Sequence, residues 1–210
     1  MRLGVLGPSN GDLVALAKAA QALMDQARVE RVLYLGKDDA LDRIVAQWAA
    51  EIVGANPNES AVFARAAVAC VKASPQEIEA FVASERARRR LRVFASVPAP
   101  PGRTVELFDG RIAVFVYDKA TLDEDDIAGS SIMVFGRSDR RLVHRVGSRT
   151  FVSPGPLASD GTSGIAVLDD ESDGGTLIQF LAIDGTILES ERIESRSLRA
   201  TGKLKIQGSG

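Results

Sequence analysis

"RLGVLGPSNGDLVALAKAAQALMDQARVERVLYLGKDDALDRIVAQWAAEI", residues 2–52, reads as strand, helix, strand, helix. Arg2 to Gly7 is a short apolar run stopped by glycine and proline, the mark of a buried strand. Leu13, Leu16, Ala20, Leu23 and Met24 then recur at helical spacing, with Asn10 or Asp12 placed to cap the helix. Val29 to Gly36 is the second strand. Leu41, Ile44, Val45 and Trp48 share one face of a second helix capped by Asp38 or Asp39. This alternation opens an α/β fold with a parallel sheet. Ligands of such sheets sit at the carboxyl ends of the strands. Function is therefore expected in the loops "GPSNGD" (7–12) and "GKDD" (36–39).

Residues 53–73 are ambiguous, since "SAVFARAAVACV" suits a helix or a buried strand. Ser74-Pro75-Gln76-Glu77 then supplies a capping box with proline at the first helical position. That helix is expected to carry Ile78, Phe81 and Val82 inward and to run into "ERARRRLR", residues 85–92. Beyond Arg92 the texture changes to short β-branched or aromatic runs punctuated by proline and glycine. "TVELFDGRIAVFV" (104–116) reads as a hairpin turning at Asp109-Gly110, and 165–183 as another turning at "ESDGG". "SIMVFG", "RLVHRVGSRTFVS" and "TILESERIE" complete the strands. The expected organisation is one domain over 1–195, a mixed-sheet sandwich flanked by helices. A polar C-terminal tail, 196–210, follows it.

At 210 residues, 45% hydrophobic and 26% charged, the chain has enough apolar material for an ordinary core. A net charge of -2 argues against a nucleic-acid or anionic-membrane binder. One cysteine forms no internal disulfide and fits a reducing cytoplasm. The N-terminus is too quickly broken for a signal peptide, and no run approaches the roughly 18 apolar residues of a membrane span. The single histidine, His144, weighs more than these figures. Zinc, manganese and iron hydrolase centres draw several ligands from imidazole, which one histidine and one cysteine cannot supply. Only an all-oxygen magnesium or calcium site stays open.

The order of elements and the loop positions resemble the calcineurin-like metallophosphoesterases, of the small single-domain bacterial phosphodiesterase type that also includes the retromer scaffold subunit. Such proteins carry Asp-x-His after the first strand, Gly-Asp after the second, Gly-Asn-x-Asp after the third, and two later histidine motifs. The second of these is Gly-His-x-His, with Asn-Pro-Gly a strand later. Here the first position reads Gly7-Pro8-Ser9-Asn10-Gly11 and the second Gly36-Lys37. The first histidine motif falls around Tyr117-Asp118-Lys119-Ala120. Gly-His-x-His becomes Gly136-Arg137-Ser138-Asp139, and Asn-Pro-Gly becomes Ser153-Pro154-Gly155. The resemblance spans about residues 1–185, and its third motif cannot be placed within 53–75.

What the resemblance implies is a fold and a loss. In the active family two metals, bridged by an aspartate and a hydroxide that attacks phosphorus, are held by carboxylates and imidazoles. Pro8 cannot ligate through its side chain, and Lys37 puts an ammonium where the bridging carboxylate would be. Arg137 replaces a neutral ligand with a permanent cation. The dimetal centre is therefore expected to be absent, leaving no catalytic residue and no cofactor. Asn10, Asp38, Asp118 and Asp139 remain polar and would suit one oxygen-ligated metal. The plainer expectation is that Lys37 and Arg137 pair with Asp118 and Asp139. Lys37 and Arg137, with Arg140 or Arg141, would alternatively hold a phosphate. On a strand, neighbouring Arg140 and Arg141 point opposite ways.

Other motifs carry less. Cys70 reads as a buried, inert thiol and His144 as a structural histidine on a strand. There is no Gly-x-Ser-x-Gly elbow, dinucleotide fingerprint or P-loop. The basic run is expected to be a solvated helix end, with Arg86, Arg88, Arg89 and Arg90 available to an acidic partner. The expectation is a cytoplasmic pseudoenzyme with one or more protein partners, neither bound to nucleic acid nor inserted in membrane. It would act as a scaffold or regulatory subunit. The alternatives are a residual single-metal phosphodiesterase and a sensor of a phosphorylated ligand.

Overall fold

The computed structural model describes residues 1–194 apart from 55, 109, 159, 161–163, 172 and 173. The expected tail lies outside these residues, as do Asp109 of the first hairpin turn and part of "ESDGG".

The opening elements are β1 (Arg2–Leu6), α1 (Leu13–Asp25), β2 (Arg31–Tyr34) and α2 (Ala40–Val53). α3 (Val62–Cys70) and α4 (Pro75–Arg90) follow, then β3 (Phe94–Ser96), β4 (Thr104–Phe108) and β5 (Arg111–Val116). α5 (Glu124–Gly129), β6 (Ile132–Phe135), β7 (Leu142–Val146) and β8 (Arg149–Ser153) come next, and β9 (Ile165–Asp170), β10 (Thr176–Leu181) and β11 (Ile187–Ile193) close the chain. One sheet has the order β11-β10-β9-β1-β2-β3 and the other β4-β5-β6-β8-β7. In the first, β1, β2 and β3 are parallel and β9, β10 and β11 join antiparallel. In the second, β5, β6 and β8 are parallel, with β4 and β7 antiparallel at the edges. The α/β reading of a mixed-sheet sandwich with flanking helices holds.

Two apolar cores follow from strand alternation, because successive side chains leave opposite faces of a sheet. Leu33 and Leu35 face the second sheet, where they meet Phe108, Phe115, Ile132 and Val134. Val32 and Tyr34 face the helices, with Leu16, Leu23, Leu41 and Ile44. α1 starts at Asp12, whose carboxylate accepts from the Ala15 N–H at 2.9 Å. For α2 the residue before the helix is Asp39, but Asp38 accepts the Ala40 N–H, at 3.2 Å.

The ambiguous stretch is helical: α3 occupies 62–70, and the Ser74 capping box with Pro75 starts α4 as expected. The inward face expected for α4 is not the observed one. Ile78 and Val82 are exposed, while Glu85 and Arg88 are buried. The reason lies in α3, whose one charged residue, Arg65, turns inward and is 8% exposed. Its Nε donates to Glu85 at 2.7 Å and its Nη2 to the other carboxylate oxygen at 3.1 Å. Glu85 also accepts from Arg88 Nε at 2.9 Å, and Arg88 reaches Glu59. A charge leaves water only with its partners, so this ionic cluster, and not an apolar stripe, fixes how α4 is turned. Cys70 is partly exposed, contrary to the buried thiol expected, because α3 presents its apolar side to solvent. Among the described residues no helix is long and apolar enough to cross a membrane.

Candidate functional site

The carboxyl ends of β1, β5 and β6, with the loop after β8, meet at one edge of the sandwich. They enclose an open cleft of about 590 Å³. Close backbone approach builds this edge. A Cβ on Gly7 would stand 1.8 Å from the Gly155 carbonyl oxygen, and one on Gly136 would stand 2.3 Å from that of Leu35. Only glycine permits such contact. The loops are then sewn together: Leu157 N–H donates to the Pro8 carbonyl at 2.9 Å, and Arg137 N–H to that of Tyr117 at 2.7 Å.

Of the expected site residues, Pro8, Asn10, Arg137 and Asp139 line the cleft, beside Tyr117, Lys119 and Arg140. Arg137 does pair with Asp118. The Ala120 N–H, donating to Asp118 at 3.0 Å, and the Arg137 guanidinium hold that carboxyl below its ordinary range. The other expected pairing does not form. Lys37 and Asp139 are exposed, and among the described residues neither has an ion pair. Lys37 does not line the cleft; nor does Asp38, which is taken up elsewhere. Arg140 and Arg141 precede β7 instead of lying on a strand, and Arg141 contacts Glu189 at 3.2 Å. His144, on β7, is exposed.

Tyr34 was not singled out by the sequence, yet it joins two of the motif loops. Its buried hydroxyl accepts from the Ser9 N–H at 3.1 Å and lies 3.1 Å from Ser9 Oγ and 2.9 Å from Asp38 Oδ1. Burial raises its pKa above the ordinary tyrosine value, so it acts as a neutral donor here. The signal available was a tyrosine two residues before Gly36 in an otherwise aliphatic strand.

A conserved uncharacterized protein from Streptococcus pneumoniae, described as a predicted phosphoesterase, superposes with a TM-score of 0.50 at 13% identity, over 91% of this chain and 96% of that one. The fold is that of the metallophosphoesterases. An archaeal phosphodiesterase is similar at TM-score 0.48 and 15% identity, over 92% of this chain and 99% of its own. Vacuolar protein sorting 29 from Cryptosporidium parvum is similar at 0.49 and 11%, over 92% and 98%. No family model and no curated protein matches the sequence.

The metallophosphoesterase fold implies a two-metal centre at these strand ends, and the side chains present do not fit one. Among the described residues no three His, Cys, Asp or Glu side chains gather into a metal-binding group. Asp118 is engaged by an arginine and a backbone N–H, and Asp38 by Tyr34 and the Ala40 N–H. The groups lining the cleft include three cations, Lys119, Arg137 and Arg140, against one carboxylate, Asp139.

The basic run needs a correction. Arg88 is buried against Glu85 and Glu59, so it is not available to a partner. Arg89 lies 3.6 Å from Glu59 and Arg90 3.5 Å from Asp25. Arg86 alone of the four is exposed and without an ion pair among the described residues. The run is basic because the helices before it offer carboxylates, which a count of arginines does not reveal.

Proposed function

We propose that this chain is a pseudoenzyme of the metallophosphoesterase fold that works by binding protein, as a scaffold or regulatory subunit. The observation that carries the reading is Arg137. A permanent cation stands at the position that the resemblance gives to a metal ligand, and it is tied to Asp118, which lies between the cleft residues Tyr117 and Lys119 in the chain. A divalent ion brought there would meet that charge and would have to break the pair. Binding surface is available elsewhere, since α3 turns Phe63 and Val68 to solvent at 84% and 88% exposure, and Val71, just past its end, is 75% exposed. Apolar residues clustered in that way mark interaction sites on soluble domains.

The test is calorimetric titration of the purified protein with manganese and magnesium, alongside turnover of a generic phosphodiester. The expected result is no saturable binding at millimolar metal and no turnover above the buffer rate. One tightly bound equivalent, or metal-dependent turnover, would overturn the reading.

A second reading rests on the three cations lining the cleft, which favour a phosphate-bearing small ligand. Stabilisation of the native state by such a ligand raises the melting temperature. A nucleotide that does so in wild type and not in Arg140→Glu would favour this reading over the scaffold.

A further inference from the structure

The two outer faces of the sandwich are finished differently. That of the first sheet is buried under α1 and α2, around Leu16, Leu23 and Leu41. On the outer face of the second sheet the buried cluster is small: Val114, Val116 and Phe135, with Leu122, Leu142 and Phe151 partly buried around it. Leu142 begins β7, and alternation brings His144 and Val146 to the same face. The register agrees, since His144 stands opposite Phe151 in the antiparallel β7–β8 pair. His144 is exposed, and Val146 is 52% exposed. Together with Phe135 these side chains line a second hollow, of about 400 Å³.

This hollow adjoins the cleft, because Lys119, Phe135 and Leu142 line both. The Lys119 ammonium lies 5.0 Å from the centre of the Phe135 ring, which sets a cation at the boundary. On the cleft side Arg137 and Arg140 add positive charge, against the single carboxylate of Asp139. Among the described residues neither Lys119 nor Arg140 has an ion pair. On the other side the lining is apolar except for Lys119 itself and the His144 imidazole. One end therefore suits an anion, and the other suits a group that asks for no hydrogen bonds.

A nucleobase does not meet the second condition. Its edge carries several donors and acceptors, and an imidazole and an ammonium leave the rest buried and unpaired. A hydrocarbon chain loses nothing there and gains by leaving water. Both features are concave and of small-ligand size, which a bilayer surface cannot enter. The net charge of -2 also gives the chain no general attraction to an anionic membrane.

We infer that the cleft and the hollow form one elongated site for an amphiphilic anion. A phosphate monoester head sits among Lys119, Arg137 and Arg140, and an aliphatic tail lies along β7, over Phe135 and Leu142 towards Val146. The inference rests on the phosphate-binding reading above and names the class of ligand. The two fail separately, because inorganic phosphate tests the head alone and chain length tests the tail.

The experiment is calorimetric titration of the full chain with inorganic phosphate and with butyl, hexyl and octyl phosphate, each below the concentration at which it forms micelles. Every two carbons added should tighten binding by about fivefold or more, since each buried methylene adds to affinity. Octanol should bind at least about tenfold more weakly than octyl phosphate, because it lacks the charge that the cations attract. Arg140→Glu should weaken all three esters alike, by about tenfold, and Val146→Glu should remove most of the gain from butyl to octyl. Both positions are exposed, so the circular dichroism spectra should match wild type. Octyl phosphate bound no tighter than inorganic phosphate overturns the inference and leaves the phosphate reading standing. Octanol bound as tightly as octyl phosphate overturns it as well, since the cations would then play no part. So does capture by phosphatidic acid vesicles without binding of octyl phosphate, which would make the cations a membrane contact.

Discussion

The sandwich and the α3–α4 hairpin are held together by opposite means. Between the sheets, Leu33, Phe115, Val134 and Phe180 exclude water, and polar groups stay at the strand ends. In the hairpin, the centre is Arg65, Glu85 and Arg88, and the aliphatic side chains are outside. An apolar core tolerates the volume-conserving exchange of one member, because its forces are non-directional and spread over many contacts. A buried ionic cluster fails as a unit, since removing one charge strands the others. One molecule therefore contains a robust region and a brittle one, and the brittle one carries the uncovered surface.

The sharpest way to test that contrast is Glu85→Ala. It leaves Arg65 and Arg88 buried without their shared carboxylate and should cost about 3–5 kcal/mol, read from the urea midpoint. Hydrogen exchange should localise the loss to α3 and α4, with β1 and β2 protected as before. A loss spread evenly over both regions would show that they do not differ. The same group gives a pH signature. The Arg65 guanidinium, ahead of Arg88, holds the Glu85 carboxyl down at about 2, against an ordinary 4.5. Its contribution to stability is therefore complete above 4.5 and declines as pH falls from there towards 2. In Glu85→Gln that part of the acid dependence should be absent.

A smaller effect is expected in the sandwich. Gly7→Ala drives a methyl into the Gly155 carbonyl, which is backbone and has little room to yield. It should cost about 1–3 kcal/mol in thermal unfolding and pull the cleft loops apart. Gly110→Ala, at a turn with open space around it, is the control for bulk, although its positive φ of 73° adds its own strain. Smaller still is Tyr34→Phe. It strands the Ser9 N–H and frees Asp38, at about 1–2 kcal/mol by denaturant midpoint. A change within error would mean that water replaces the hydroxyl without loss.

Most of the sandwich was legible in the sequence because there apolar residues and buried residues coincide. The alternation in "RVLYL" assigns Leu33 and Tyr34 to different cores, and the glycines at 7, 136 and 155 mark the places where backbones touch. The hairpin defeated the same logic. Reading Ile78 and Val82 as inward and Arg88 as outward follows correctly from hydrophobicity, and it fails because Arg65 had already taken charge into the interior of that layer. No periodicity announces a buried arginine twenty positions from its carboxylate. At the cleft, the Arg137–Asp118 pair could be anticipated from charge. Lys37 could not be placed, because a flexible ammonium at a loop has no partner fixed by register. Tyr34 was invisible as a site residue: a tyrosine at the end of a buried strand looks like core until the atoms around its hydroxyl are known.

The position of β1 has a consequence for the order in which the chain becomes a protein. β1 lies between β2, parallel to it from Leu3↔Arg31, and β9, antiparallel to it from Arg2↔Asp169. Its first neighbour leaves the ribosome soon after it, but its second waits until residue 170 has been made. Throughout that interval one edge of β1 shows an open row of amides and carbonyls, which any passing strand could extend. Closing the loop of more than 150 residues between β1 and β9 is also the step that topology makes slow. A strand that ends with both edges paired is, during synthesis, one whose open edge a chaperone would cover.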